Sequence, residues 1–209
     1  MQTHKMPVAG RISGTLPLLI FSGMLLLAAC GTTPDVHYYL ISAQPATTGA
    51  DALPTGTVIG LGPLSLPEYL VRSQMVTRTS ASRLQYHNEH RWAEPLADNI
   101  GRVLRENLAG RLNLDQVIAW PWQRNRKVDY QVTLDITRLD ADSTGNVNLE
   151  GRWSLHKNGG SAPIAARHIK LTVPAADSTH DAVAIAHGEP LARLASDIAE
   201  QLLQSASAP

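Results

Sequence analysis

Three stretches in the second half of the chain alternate apolar and polar residues with period two. In DYQVTLDIT (129–137), Tyr130, Val132, Leu134 and Ile136 alternate with Asp129, Gln131, Thr133, Asp135 and Thr137. NVNLEGRWSLH (146–156) places Val147, Leu149, Trp153 and Leu155 in the same way, and IAARHIKLTV (164–173) places Ile169, Leu171 and Val173. Period two gives a strand one buried and one wet face. DSTG (142–145) and NGG (158–160) supply turns between them. The pattern predicts a three-stranded antiparallel meander with helices on one face only.

A different period marks the helices. Leu96, Ile100, Val103, Leu104, Leu108 and Leu112 recur at intervals of three and four, with Asp98, Arg102, Arg105 and Glu106 on the other side. Pro95 suits a first helical turn, and Gly110 and Asn113 are stop signals. HDAVAIAHGEPLARLASDIAEQLLQ (180–204) carries a second stripe at Leu191, Leu194, Ile198 and Leu202, and Pro190 divides it into a short and a longer helix. Residues 205–209 read as a frayed tail.

Earlier in the chain, VHYYLIS (36–42), TVIGLGPLSL (57–66), QMVTRTS (74–80), RLQYH (83–87) and QVIAW (116–120) have strand character. Residues 43–56 read as a loop and 67–73 as a turn. The expected fold is a single α/β domain: a mixed β-sheet with an antiparallel meander and about two packed helices.

Composition narrows the function. The 209 residues are 44% hydrophobic and 17% charged, with zero formal net charge. A packed core is expected, and a nucleic-acid partner is not, because that needs a basic stripe. The single cysteine, Cys30, forms no internal disulfide and no Cys-rich zinc site.

Cys30 ends an apolar run from Leu16 to Leu27 that follows Lys5 and Arg11, the layout of a secretory signal. The run is short for a bilayer span of about 20 residues. Leu27-Ala28-Ala29-Cys30 resembles the lipobox of bacterial lipoproteins, in which the thiol is acylated and the chain is cut before it. The expected boundaries are a signal peptide at 1–29, a lipidated cysteine and tether at 30–35, and a periplasmic domain at 36–204. Gly31, where Asp would favour inner-membrane retention, points to an outer-membrane anchor facing the periplasm. The mature chain loses Lys5 and Arg11 and becomes slightly acidic.

Catalytic and cofactor motifs are missing. HNEH (87–90) places two histidines three apart without HExxH, between a strand and Pro95, so a loop is expected and no metal. GLGPLS (60–65) lacks the third glycine of a dinucleotide loop. There is no Walker A sequence and no GxSxG. Asp135 falls on a wet face, and Asp140 and Asp142 fall at a frayed strand end, so solvated carboxylates are expected. No enzyme activity and no cofactor are assigned. WPWQR (120–124) brings Trp120 and Trp122 next to Arg124 and Arg126, residue types that either cap a core or anchor an interface. RWAEPL (91–96) has the same ambiguity at Trp92.

VIGLGPLSLPEYLVRSQMVTRTS (58–80) and RLQYHNEHRWAEPLADNIGRVLRENLAGRL (83–112) resemble the PqiC-type, ABC-transport auxiliary lipoprotein family, and YYL (38–40) and DYQVTLDITRLD (129–140) fit it too. SLPEYL and RWAEPL are the most specific segments. The resemblance implies an α/β fold and a lipid-anchored outer-membrane protein without catalytic residues. It implies work with an inner-membrane MCE-domain protein, PqiB-like, or with an ABC transporter carrying an MCE component, in intermembrane lipid transport and envelope integrity. Homo-oligomeric rings are a further implication. Tyr69, Arg72, Arg91, Trp92, Trp120 and Trp122 are the candidate partner or oligomer contacts, and Cys30 is the lipid attachment site. A lipid or small-molecule binding module that carries cargo itself is the alternative. The tether of five residues spans at most about 18 Å, which would keep the domain close to the membrane.

Overall fold

A computed structural model describes residues 34–44 and 53–207, together with Gln2. The signal segment, Cys30, Gly31 and residues 45–52 lie outside the described residues. The unit from Val36 onward holds β1 (His37–Tyr39), β2 (Ile59–Ser65), a 3₁₀ turn (Glu68–Leu70), β3 (Gln74–Ser80), β4 (Arg83–Trp92), α1 (Leu96–Leu112), β5 (Val117–Ala119), β6 (Tyr130–Asp142), β7 (Asn146–Lys157), β8 (Ala165–Pro174), α2 (His180–Ala186) and α3 (Gly188–Ser207).

The eight strands of the described residues join one mixed sheet, as the sequence predicts. β6, β7 and β8 form the antiparallel meander. The sheet forks on the other edge of β6. Parallel β2 takes its first half, from Ile59 opposite Tyr130 to Ser65 opposite Asp135. Parallel β3 takes its end, with Thr77 and Arg78 opposite Ala141 and Asp142. One branch continues to β5 and the other to β4 and β1. SLPEYL is the connection between the branches, and the 3₁₀ turn lies within it.

A bulge in β6 explains its reach. Pairing with β7 shifts between Ile136 and Arg138, so the buried positions change phase, from Tyr130, Val132, Leu134 and Ile136 to Leu139 and Ala141. Gly151 of β7 stands opposite; a β-carbon there would lie 2.4 Å from the Asp135 carbonyl oxygen.

The helices bury the stripes that predict them. Leu96, Ile100, Val103, Leu104, Leu108 and Leu112 of α1 pack with Leu191, Leu194, Ile198 and Leu202 of α3 in one core with the sheet. Pro95 is the N-cap of α1 rather than its first turn: its carbonyl accepts from the Asn99 amide. Asn113 closes α1 in the left-handed conformation.

Two asparagines break the apolar face of α1 for a reason. Asn99 Oδ1 accepts from the Ile41 amide at 2.8 Å, and its Nδ2 donates to the Ile41 carbonyl at 3.1 Å. Two turns on, Asn107 Oδ1 accepts from the Gln44 amide at 3.0 Å. The extended segment after β1 is thus laced onto α1, with its backbone polar groups satisfied by side chains.

Four boundaries differ from the sequence reading. β4 runs on to Trp92, so HNEH is strand and not loop, because β1 pairs with its last three residues from the far side. The helix break falls at His187–Gly188 rather than at Pro190, which sits harmlessly in the first turn of α3. Gly188 permits it: a β-carbon there would lie 2.8 Å from the Ser42 carbonyl oxygen. The tail remains helical through Ser207. The turn at 67–73 contains the short 3₁₀ segment.

Candidate functional site

The two tryptophans of WPWQR sit at the free edge of the β2–β5 branch. β5 pairs in parallel with β2, and the Trp120 amide donates to the Leu61 carbonyl at 2.9 Å. The Trp120–Pro121 and Gly62–Pro63 peptide bonds are both cis. The chain then folds back so that both indoles lie over β2. A β-carbon on Gly60 would be 2.6 Å from the Trp122 ring, and one on Gly62 would be 2.5 Å from the Trp120 β-carbon. Gly62 also has φ +120°, a conformation that glycine alone adopts readily. The GLG motif therefore makes room for two indoles, where a nucleotide loop would cradle phosphate.

Trp120 and Trp122 meet edge to face, 4.9 Å between ring centroids. Trp122 is half-buried and closes the end of the core over Val128 and Gly60. Trp120 remains 51% exposed. Beside it runs an open groove of about 590 Å³ between β2 and the start of α1, lined by Pro63, Leu64, Ala97, Gly101, Arg105 and Trp120 among others. Arg124, Arg126 and Lys127 stand exposed in the following loop. A rigid aromatic beside a groove that Arg105 also lines has the residue types that anchor contact surfaces.

The remaining candidate contacts are placed apart from this edge. Trp92 is 5% exposed and meets the His187 ring edge to face at 5.1 Å, so it serves the core and offers no surface. Arg91 donates from Nε to the Asn88 carbonyl at 2.9 Å. Arg72 is exposed and lies over the Tyr86 ring at 5.1 Å.

Tyr69 belongs to a buried charge network that the sequence reading missed. Asp140, expected at a frayed end, is 1% exposed. Arg78 donates to its Oδ2 from Nε at 3.0 Å and Nη2 at 2.8 Å, Arg138 donates to Oδ1 at 2.8 Å, and Tyr69 donates to Oδ2 at 3.0 Å. Burial first, then the adjacent carboxylate, pushes the Tyr69 hydroxyl up to about 12. The network sits where the sheet forks and ties SLPEYL, β3 and β6 together. Strict alternation from Tyr130 would put Asp140 in phase with the buried positions; the β6 bulge changes that phase to Leu139 and Ala141, and Asp140 is buried instead among Tyr69, Arg78 and Arg138. Asp142 instead caps the β6–β7 turn, accepting from Thr144 and Asn146, and these bonds hold its carboxyl below the usual carboxylate range against the opposing effect of burial. Asp135 is exposed and accepts from Ser65 Oγ at 2.6 Å.

The fold is one α/β domain, and its β2–β5 edge carries an exposed indole beside an open groove. The sequence pattern of the ABC-type transport auxiliary lipoprotein component family matches residues 38–199, and this chain belongs to that family. It is similar to the intermembrane transport lipoprotein PqiC of Escherichia coli (strain K12), 24% identical over 144 residues that cover 68% of this chain and 74% of that protein. PqiC of Shigella flexneri gives the same values. Among solved structures, protein XCC0632 from Xanthomonas campestris superposes with TM-score 0.68 at 16% identity, covering 81% of this chain and 96% of that one. A crystal structure of an uncharacterized protein gives TM-score 0.64 at 19% identity, covering 80% and 99%. These two likenesses establish the shared fold. Among the described residues no helix is long and apolar enough to cross a membrane.

Proposed function

We propose that this chain is an outer-membrane lipoprotein, anchored through Cys30 on the periplasmic face, that docks an MCE-type assembly in intermembrane lipid transport. The assembly is a PqiB-like inner-membrane protein or an ABC transporter with an MCE component. Family membership and the similarity to PqiC support transport by this route. The observation that carries the docking role is Trp120: half-exposed, yet fixed against Gly62 and Trp122 beside an open groove. An indole already held in place loses little conformational freedom on binding, which favours it as an anchor. The groove carries Asp98 and Arg105 in its wall and is open along its length, which suits a protein surface better than sequestered acyl chains. A closed ring of this chain would bring several such edges together around one axis.

Affinity purification of the tagged, lipidated protein from solubilised envelopes tests this reading. An MCE-domain protein is expected to copurify and to be lost with Trp120→Ala. Copurified phospholipid without an MCE protein would transfer the role to cargo carriage. An MCE protein retained unchanged by Trp120→Ala would move the contact elsewhere, with exposed Arg72 the next candidate.

A further inference from the structure

Four of the eight histidines meet in one cluster that the docking role does not use. β4 supplies His87 and His90. Three residues apart, they belong on opposite faces of a regular strand. The pairing of β4 with β3 jumps from Met75–His87 to Gln74–Arg91, and this bulge turns both onto one face. β1 supplies His37 and α2 supplies His180, its first residue.

The rings pack closely. His90 lies between two others: its ring is 3.6 Å from that of His180, planes 8° apart, and 5.3 Å from that of His37, planes 17° apart. His87 meets His180 edge-on at 4.4 Å. Two of the rings are fixed from behind. His87 Nε2 is 2.9 Å from Thr77 Oγ1, and His90 Nδ1 is 2.9 Å from Tyr39 Oη. Cofacial rings aim their lone pairs in parallel, which opposes convergence on a shared metal ion.

We infer that this histidine stack is a proton-sensitive latch that holds β1 and the first turn of α2 against β4 when its rings are neutral and releases them on acidification. The geometry gives the reason. Neutral imidazoles stack favourably, and one cation against a ring is tolerated. Two imidazolium ions at stacking distance repel. Release acts on β1 because its ladder to β4 is only three residues long.

The surrounding charges set the balance. His87 and His180 are held below the ordinary histidine value, His180 at about 4, by burial first and then by the neighbouring imidazoles. Asp181 of α2 acts the other way on His180 and is too weak to reverse it. Tyr39 from β1 faces the His90 ring, and burial and Asp181 hold its hydroxyl above the usual value, so it stays protonated throughout. Asp142 lines the cavity beside His87 and His180, but its oxygens are engaged by Thr144 and Asn146. With His87 and His180 depressed in the folded state, the released segment binds more protons below about pH 6.5, so acid favours release. Resting on the lipid-anchor reading, a freed β1 would lengthen the tether and let the domain stand further from its membrane.

Hydrogen exchange read by mass spectrometry on the full chain in detergent, at pH 7.5 and 5.5 with intrinsic rates corrected, tests the latch independently of any anchor or partner. Protection of residues 37–39 and of Ala182, whose amide donates to Thr179 Oγ1, is expected to fall at least tenfold at pH 5.5 while β6 and β7 keep theirs. In His90→Gln/His180→Gln the two values are expected to coincide. Protection unchanged at pH 5.5 in the wild type would overturn the proposal. So would loss in step with β6 and β7, or loss confined to residues 183–188, which would assign the response to His187. The regional comparison within the wild type decides even if the double variant does not fold.

Discussion

Asp140→Asn removes one negative charge from the fork of the sheet and little else. The side chain keeps its shape, but Arg78 and Arg138 are left facing a neutral amide, one of whose atoms is now a donor pointed at a donor. Both arginines are only about a quarter exposed at the side chain, 21% and 24%, so water compensates in part. Breaking a buried pair from one side costs about 3–5 kcal/mol, and the partial exposure places this case near 3. For a domain of this size each kcal/mol lowers Tm by about 2–4 °C, so a fall of about 10 °C is expected. Urea and thermal unfolding followed by circular dichroism measure it. Tyr69→Phe alone is expected to cost about 1 kcal/mol, and much less in the Asp140→Asn background, because its hydroxyl has then lost the charged acceptor. A Tm within about 2 °C of wild type for Asp140→Asn, or full additivity with Tyr69→Phe, would refute a network acting as a unit.

Other substitutions probe the remaining features. Gly60→Ala forces a methyl group into the Trp122 ring, so a loss of about 1–3 kcal/mol and a red-shifted tryptophan emission are expected; an unchanged spectrum would contradict the packing. Asn99→Ala leaves the buried Ile41 amide without a partner and is expected to lower stability by about 2 kcal/mol in urea unfolding. His187 is held down to about 4, chiefly by burial, with its Nδ1 donating to the Val183 carbonyl. A folded value below the unfolded one means its contribution is complete above about pH 6.5 and is lost as pH falls toward 4, by about 3 kcal/mol in total. Unfolding free energies measured from pH 7 to 5 should decline accordingly, and His187→Gln should flatten part of that slope.

The meander and both long helices were legible because their apolar positions keep one period over many residues, as Leu96 to Leu112 and Tyr130 to Ile136 do. Where the ladder carries a bulge, the pattern misleads. The shift near Thr137 moves the apolar positions to Leu139 and Ala141, the burial of Asp140 rests on Tyr69 and Arg78, distant in the chain, and the bulge in β4 made HNEH resemble a loop. The fork of the sheet was not legible, since nothing in β2 or β3 says that both will share one edge of β6. Trp120 and Trp122 were identified by residue type; the glycines of β2 seat both, leaving Trp122 half-buried and Trp120 51% exposed. Trp92 was visible as a candidate and turned out to be core. Asn99 and Asn107 broke an apolar stripe, and that interruption was the available signal for the strap they hold.

The strap has a mechanical side. Tension arriving from the N-terminus meets β1 first, held to the sheet by a ladder of only three residues. Behind it, Asn99 and Asn107 grip the next stretch of backbone at two points along α1. A pull that peels β1 from β4 is therefore passed to a long helix seated in the core, and not to β6. The first fastening is sacrificial: the edge yields, and the interior that positions Trp120 keeps its shape under load.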